Sequence, residues 1–402
     1  MSNLNRRAFL KTSVLGAAGA FVANRLTGAE KITPVGREMQ KGKVIKRQLG
    51  NTDIELPIVS YGVMEAKNPS LIKAAMETGF QHFDTAHVYQ RGNNEKMLGK
   101  VLKEYPRKSF TIATKVPPEE KDRETGHLKS GTTKKAFLDK LDISLERLQM
   151  DYVDILYVHS ISARQAALYE PILDALKTAK KQGKARYIGL STHKNEPEVI
   201  QAAIDSGVYE VILTAYNFKQ DHRDQMNKMI AKAADAGIGI VGMKSMAGGS
   251  LGKDADKPVD FKAALKWVLN NPNVHTTIPG IINFEHLRQN FSVMEHLELT
   301  PEEERFLSMA SAEKGLYCNG CETCKAECRK NLPIPEMMRA YMYAYGYREM
   351  KKAKQVLQEH DIRDNPCSDC SICTARCVKG FDVPSKLADI SRISKMPDDF
   401  LV

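Results

Sequence analysis

All eight cysteines of this 402-residue chain sit near its C-terminus, in two copies of one spacing: Cys318, Cys321, Cys324 and Cys328, then Cys367, Cys370, Cys373 and Cys377. In each run two-residue gaps separate the first three thiols, and a three-residue gap precedes the fourth. Thiolates are soft ligands. Three at this spacing can wrap three corners of an iron–sulfide cube, and a fourth, set apart, completes a site. Two [4Fe–4S] clusters are therefore expected. Structural zinc more often takes separated CxxC pairs, and a disulfide framework belongs to short secreted scaffolds. Both match this chain less well.

The runs resemble those of bacterial two-cluster ferredoxins, with one departure: Arg329 and Val378, not proline, follow the fourth cysteines. In those ferredoxins the fourth cysteine of each run ligates the other cluster. The resemblance implies a crossed pairing. Cys318, Cys321, Cys324 and Cys377 would hold one cube, and Cys367, Cys370, Cys373 and Cys328 the other.

Ahead of the cysteines, eight short apolar runs, from Ile58–Val63 to His275–Ile281, alternate with amphipathic stretches such as Lys134–Leu148 and Phe261–Leu269. Alternation of this kind predicts a parallel sheet. Gly79, Gly183, Gly207 and Gly237 stand where helices should end. Eight such units in about 240 residues give the count and size of a (β/α)8 TIM barrel. A doubly wound open sheet is the rival, but no Gly-x-Gly-x-x-Gly follows the first strand. Val44–Leu49 and Ile54–Pro57 flank Gly50-Asn51-Thr52-Asp53 as a hairpin. Thr300-Pro301-Glu302-Glu303 starts a capped helix. Residues 334–360 read as one helix despite Gly346, with Tyr341, Tyr343, Tyr345 and Tyr347 packing around the clusters. The expected organisation is a barrel over 44–298, a linker helix over 299–313 and a small, mainly α-helical ferredoxin-like domain over 314–402.

The barrel segment, about residues 44–298, resembles the aldo/keto reductase family. The resemblance rests on His82-Phe83-Asp84-Thr85-Ala86-His87-Val88-Tyr89, Asn94-Glu95-Lys96-Met97-Leu98-Gly99, Ala113-Thr114-Lys115-Val116 and Leu156-Tyr157-Val158-His159. It implies a catalytic tetrad of Asp84, Tyr89, Lys115 and His159. All four fall at or just beyond C-terminal strand ends, the face on which barrel active sites are built. Reducing a carbonyl with hydride requires a proton at the developing alkoxide. Tyr89 would donate it, and Lys115 would lower a phenol pKa that is ordinarily near 10. Asp84 would hold the ammonium, and His159 would orient the carbonyl.

The resemblance also implies an NAD(P) site, with departures. Ser191 stands where the family holds the nicotinamide carboxamide, but Thr192 replaces the Asn beside it and Leu213 replaces a Gln. Lys219 stands at the stacking Tyr, and Phe218 would substitute for it. Gly248, opening a Gly-Gly pair, would let the backbone approach the pyrophosphate. Gly280 and His286 replace the Lys and Arg that grip the 2′-phosphate in NADP-preferring members, leaving Arg288 and Asn290 nearby. Losing two charge-assisted contacts argues against tight NADP specificity.

The N-terminus carries Arg6-Arg7-Ala8-Phe9-Leu10-Lys11, a short apolar run and Thr27-Gly28-Ala29. This layout resembles a twin-arginine signal over residues 1–29, and predicts export to the periplasm or beyond. Its apolar run is too short for a permanent membrane span. The net charge of +10 would suggest nucleic acid, but Arg6, Arg7, Lys11 and Arg25 leave with the signal. Each four-thiolate cube would offset about two more charges, so no nucleic-acid partner is expected. The function predicted is carbonyl–alcohol chemistry on a small molecule, coupled through the clusters to a redox partner protein or quinone-linked carrier. The alternative is an iron–sulfur electron carrier whose barrel is a scaffold or sugar-binding module.

Overall fold

The computed structural model describes residues 44–247, 260–312 and 317–401. The signal expected over 1–29 and Gly248 lie outside the described residues. Eight parallel strands follow one another: β3 (Tyr61–Gly62), β4 (His82–Asp84), β5 (Thr111–Val116), β6 (Val153–Val158), β7 (Ala185–Thr192), β8 (Val211–Ala215), β9 (Gly239–Met243) and β10 (Thr276–Thr277). The sheet closes on itself, because Ser60 N donates to Thr277 O at 2.8 Å and Thr277 N to Ile58 O at 3.0 Å. Each strand lies within an apolar run of the sequence.

The helices between strands bury one face each against this cylinder. Lys134–Leu148 turns Phe137, Leu141, Leu145 and Leu148 inward, with Thr133 accepting from Ala136 N as its N-cap. β1 (Lys46–Gln48) and β2 (Glu55–Pro57) form the antiparallel hairpin, Lys46 opposite Pro57. Leu49, Ile54 and Leu56 from the hairpin join Ile155, Leu213 and Val241 in a core at the strands' N-terminal end. Gly50 there has φ +55, and a Cβ would stand 2.4 Å from Gly239 N, so the turn needs glycine. With that end plugged, the barrel is open only at the C-terminal ends of its strands.

Pro301–Ala312 follows the barrel. Glu303 N donates to Thr300 Oγ1 at 3.2 Å, and Thr300 N donates to Glu303 Oε2 at 2.8 Å, a reciprocal capping box. The cysteine-bearing residues then fold around their own apolar core, which includes Ile334, Met338, Leu357, Leu387 and Ile390. The single helix expected over 334–360 is corrected. Ile334–Tyr341 passes into a π-turn at Met342–Gly346, breaks, and resumes as Met350–Glu359. The break includes Arg348 at φ 61. Gly346 costs helix propensity, and the break turns the chain back over the barrel.

The cysteine module sits on the open end of the barrel. Lys352 pairs with Glu65 at 2.9 Å and Lys194 with Glu322 at 2.7 Å. Lys379 donates to Lys219 O at 2.8 Å, and Asn331 to Glu124 Oε1 at 3.2 Å. These barrel partners follow β3, β7, β8 and β5, so the module spans the mouth from several sides. Among the described residues no helix is long and apolar enough to cross a membrane.

Candidate active site and thiol quartets

The backbone is strained where the strands end. Gln90 and Arg91 just after Tyr89, Ser160 just after His159, and Lys244 beyond β9 all have φ between 49 and 60. Non-glycine residues rarely adopt that region, and such strain persists where surrounding contacts over-determine it. Gln90 Nε2, for example, donates to Met64 O at 2.9 Å and Ala66 O at 3.0 Å. The Asn94-Glu95 motif provides a second anchor. Asn94 bonds Thr85 Oγ1 at 2.6 Å and Val63 O at 2.7 Å, while Thr114 Oγ1 donates to Glu95 at 2.7 Å. The helix after Tyr89 is thereby fixed to three strand ends.

Four side chains converge at this face. The Lys115 ammonium is buried, forms an ion pair with Asp84, and donates to Thr85 O at 2.6 Å. It also stands 4.8 Å from the centre of the Tyr89 ring. Tyr89 and His159 meet edge to face at 6.0 Å. Burial works against the Lys115 charge, but Asp84 and Tyr89 outweigh it and hold its pKa above the usual value. Burial and the neighbouring cations Lys115, Lys121 and Lys352 push His159 down to about 3, so the imidazole is neutral at ordinary pH.

The expectation of a phenol lowered by Lys115 needs correcting in its net direction. Burial acts first and pushes Tyr89 up, and Lys115 and Lys352 pull it back only in part. The phenol therefore stays protonated, as a proton donor must.

The cofactor candidates are less coherent. Ser191 and Thr192 are buried at the end of β7; Ser191 Oγ accepts from Ser160 N at 2.8 Å, and Thr192 Oγ1 donates to Lys194 O at 3.1 Å. Phe218 is a correction. Its ring is buried against Trp267 and Phe306, at 6.5 and 6.2 Å, so it is not free to stack on a ligand. Arg288 is exposed and paired with Glu285. Asn290 is buried; its amide donates to His286 O at 2.8 Å while its Oδ1 has no partner.

The thiols fall into two groups. Cys318, Cys321, Cys324 and Cys377 line one pocket. Cys328 lies instead among the thiols that act on Cys367, together with Cys370 and Cys373. None of the eight is in a disulfide. Among the described residues no three His, Cys, Asp or Glu side chains close to the spacing of a single metal ion.

Local spacing gave no sign of several residues at the mouth. Tyr343, on the module, lies 4.6 Å below Lys352 and is acted on by Lys244 and Arg339. Tyr347 packs against the barrel core. The tyrosines thus divide: Tyr341 and Tyr345 stack at 4.4 Å, while Tyr343 and Tyr347 turn to the barrel, correcting their assignment to cluster packing alone. Only the fold-back of the module brings these groups to the tetrad.

Residues 60–263 match the model of the aldo/keto reductase family. The chain is 26% identical over 310 residues to L-galactose dehydrogenase of Arabidopsis thaliana, spanning 67% of this chain and 94% of that protein. It is 34% identical over 156 residues to the aldo-keto reductase yakc (NADP+) of Schizosaccharomyces pombe, 36% of this chain and 44% of the relative. Among solved structures, the holo form of aldo-keto reductase AKR11C1 from Bacillus halodurans shares the fold. Its TM-score is 0.55 at 23% identity, over 66% of this chain and 96% of that one. The matched segment contains the seven barrel strands from β3 to β9 and all four converging side chains, and the cysteine module lies beyond it. The chain belongs to the aldo/keto reductase family and is an oxidoreductase of carbonyl and alcohol substrates.

Proposed function

We propose that the barrel interconverts a small aldehyde, ketone or sugar-like carbonyl and its alcohol, with Tyr89 as proton donor, Lys115 and Asp84 as its electrostatic support, and His159 as the carbonyl's hydrogen-bond partner. The observation that carries this reading is the buried Lys115 between Asp84 and Tyr89, with His159 edge-on, at the open end of the barrel. The Tyr89 phenol would pass its proton to the carbonyl oxygen as negative charge develops there. Lys115 would stabilise the phenolate left behind, an interaction strongest where charge appears. Neutral His159 can donate a hydrogen bond without competing for the proton.

A nicotinamide nucleotide would supply the hydride. The residues fit it at two points. Ser191 has its hydroxyl hydrogen available at a strand end, and Asn290 has a buried oxygen without a partner. The name of the fission-yeast relative specifies NADP+, which supports a nicotinamide nucleotide here. Gly280 leaves open space where the resemblance would put a Lys, so we propose no strong preference for the 2′-phosphate.

The same reading gives the module two [4Fe–4S] clusters, held by the two thiol quartets. The quartets are free of disulfides, and four thiolates are the ligand set a cube takes. Cys321 and Cys370 are exposed, and Ile372 and Val378 beside the quartets are 69% and 64% exposed. Such a surface supports single-electron exchange with a redox protein or quinone-linked carrier. Anaerobically purified protein should contain about eight iron and eight sulfide per chain and should oxidise NADH or NADPH with a simple aldehyde. Stoichiometric zinc without iron after reconstitution would overturn the cluster reading. Lack of nucleotide oxidation with any aldehyde would overturn the carbonyl reading.

We further propose that residues 1–29 direct export of the folded, cluster-loaded protein. Arg6→Lys together with Arg7→Lys should then leave uncleaved precursor, iron included, in the cytoplasm, because that route reads the guanidinium pair as an address. Unchanged export of the double variant, followed by fractionation and immunoblotting, would point to the general secretory route instead.

A further inference from the structure

The turn after β3 meets the tetrad and the cysteine module at once. Val63 N donates to Asp84 O at 3.1 Å, and Asn94 Nδ2 donates to Val63 O at 2.7 Å. Met64 O and Ala66 O accept from Gln90 Nε2 at 2.9 and 3.0 Å. Asp84 is one of the four converging side chains, and Gln90 follows Tyr89 directly. From the module, Lys352 Nζ donates to Glu65 Oε1 at 2.9 Å and reaches the Met64 thioether. One turn therefore carries Gln90 on its carbonyls and Lys352 on its side chains.

Gln90 and Arg91 need such support. At φ 49 and 56 both lie in the left-handed region, which persists in non-glycine residues only where contacts over-determine it. Tyr89 N donates to Ala86 O at 3.0 Å and Arg91 N to Val88 O at 3.2 Å. The Gln90 side chain adds its two bonds to the turn. That turn is short, closed by Ala66 N to Val63 O at 2.9 Å, so whatever holds its outer side bears on Gln90.

Lys352 is placed to hold it. Its side chain and that of Glu65 are each 21% exposed, and the Tyr343 ring lies 4.6 Å from the ammonium. Water screens such a pair less than one on an open surface. Glu349, at the N-cap of the Lys352 helix, faces the same pair. Burial and Glu65 push its carboxyl up to about 7, while Lys352 and Lys67 pull the other way.

We propose that Lys352 is a positioning residue of the reductase site: seated on Met64 and Glu65, it fixes the turn that holds Gln90, and so fixes Tyr89. This rests on the carbonyl-reducing reading above. The module then serves the barrel's chemistry by its seat on the mouth, whatever electrons its thiol quartets carry. An ion pair that only joined two surfaces would contribute little. This one matters for what its turn holds, since misplacing a reacting group by about 1 Å can cost about 10²-fold in rate.

The test uses the full-length holoprotein with benzaldehyde and NADPH or NADH. Lys352→Met should lower kcat by about ten- to a hundredfold, with KM, nucleotide affinity and iron content near wild type. Lys352→Arg, which keeps the charge that pairs with Glu65, should recover part of the rate. Gln90→Ala should give a similar loss, and the double variant should be little worse than either, because residues coupled through one backbone segment are not additive. Glu124→Ala removes the contacts to Asn331 and Lys325 elsewhere on the mouth and should leave kcat unchanged. Hydrogen exchange gives a readout without turnover: Lys352→Met should speed exchange at the Tyr89 and Arg91 amides while those of β6 stay slow.

With an active wild type, unchanged kcat in Lys352→Met would overturn the brace and leave the carbonyl reading standing. Additive losses in the double variant would overturn it too. So would an equal loss in Glu124→Ala, which would reduce Lys352 to one docking contact among several. A wild type that reduces no aldehyde would sink the carbonyl reading. Exchange would then decide the brace alone, faster at Tyr89 and Arg91 supporting it and unchanged overturning it. Should Lys352→Met not fold, Glu65→Ala, which removes the pair from the barrel side, decides by the same readings.

Discussion

Tyr89→Phe is expected to abolish carbonyl reduction, lowering kcat by about 10²- to 10⁴-fold, the usual contribution of a positioned proton donor. Nucleotide affinity and iron content should stay close to the wild type. The phenol's proton matters only as alkoxide charge develops, so its loss belongs in kcat rather than in ground-state binding. The ring itself is kept in Phe, so the edge contact with His159 at 6.0 Å survives. Stopped-flow turnover alongside nucleotide titration would separate the two effects. If the variant kept most of its rate on every substrate, the tetrad would not be the site of proton transfer.

Lys115→Met should act through the same step. The Lys115 charge is one of the two that pull the Tyr89 phenol down against burial. Removing it lets that pKa rise, so the alkaline fall in reduction rate should move to higher pH while the maximum rate drops. The double variant should be little worse than Tyr89→Phe alone, since groups acting as a unit do not give additive losses. An additive loss would mean that Lys115 serves some other step. Met also leaves Asp84 buried without its cation, which destabilises the fold, so Tm must be measured beside the rate.

The barrel was legible because its strands are buried on both faces. Val153–Val158 is buried throughout, and such a run stands out in sequence. Lys134–Leu148 and Phe261–Leu269 were readable from their apolar spacing. Asn93–Leu102 was visible only as a motif, since its buried face includes Asn94 and Glu95. Those polar residues are satisfied by Thr85, Val63 and Thr114, partners that a hydrophobic pattern cannot show. The tetrad was legible for a related reason: each member sits at or just beyond the end of a recognisable strand.

What sequence could not give was the seating of the module. The break near Arg348 and the salt bridge from Lys352 to Glu65 join residues far apart in the chain. No periodicity encodes that return. Phe218 failed for a different reason. It has the right chemistry at the right offset, but Trp267 and Phe306 offer it a buried aromatic pocket. Burying an aromatic ring among others is worth more than leaving it exposed to wait for a ligand.

The second large effect concerns how the thiols divide. Single replacements cannot distinguish crossed from uncrossed quartets, because either arrangement loses one cube when Cys321→Ala is made. Pairs of replacements can. Cys377 lines the pocket of Cys318, Cys321 and Cys324, so Cys321→Ala with Cys377→Ala should damage one site only and leave about four of eight irons. Cys328 lies with Cys367, Cys370 and Cys373, so Cys321→Ala with Cys328→Ala should damage both and leave almost none. If each run instead served its own cube, the two double variants would exchange results. Iron and sulfide analysis under anaerobic conditions gives the count, and the EPR spectrum of the reduced protein shows whether the surviving cube is unaltered. Partial retention with three thiolates would appear as a changed spectrum rather than a lost one, so both measurements are needed. The crossed outcome has a mechanical consequence as well. Each cube would join the segment around residues 318–328 to the segment around 367–377, so losing either should loosen the module that roofs Tyr89.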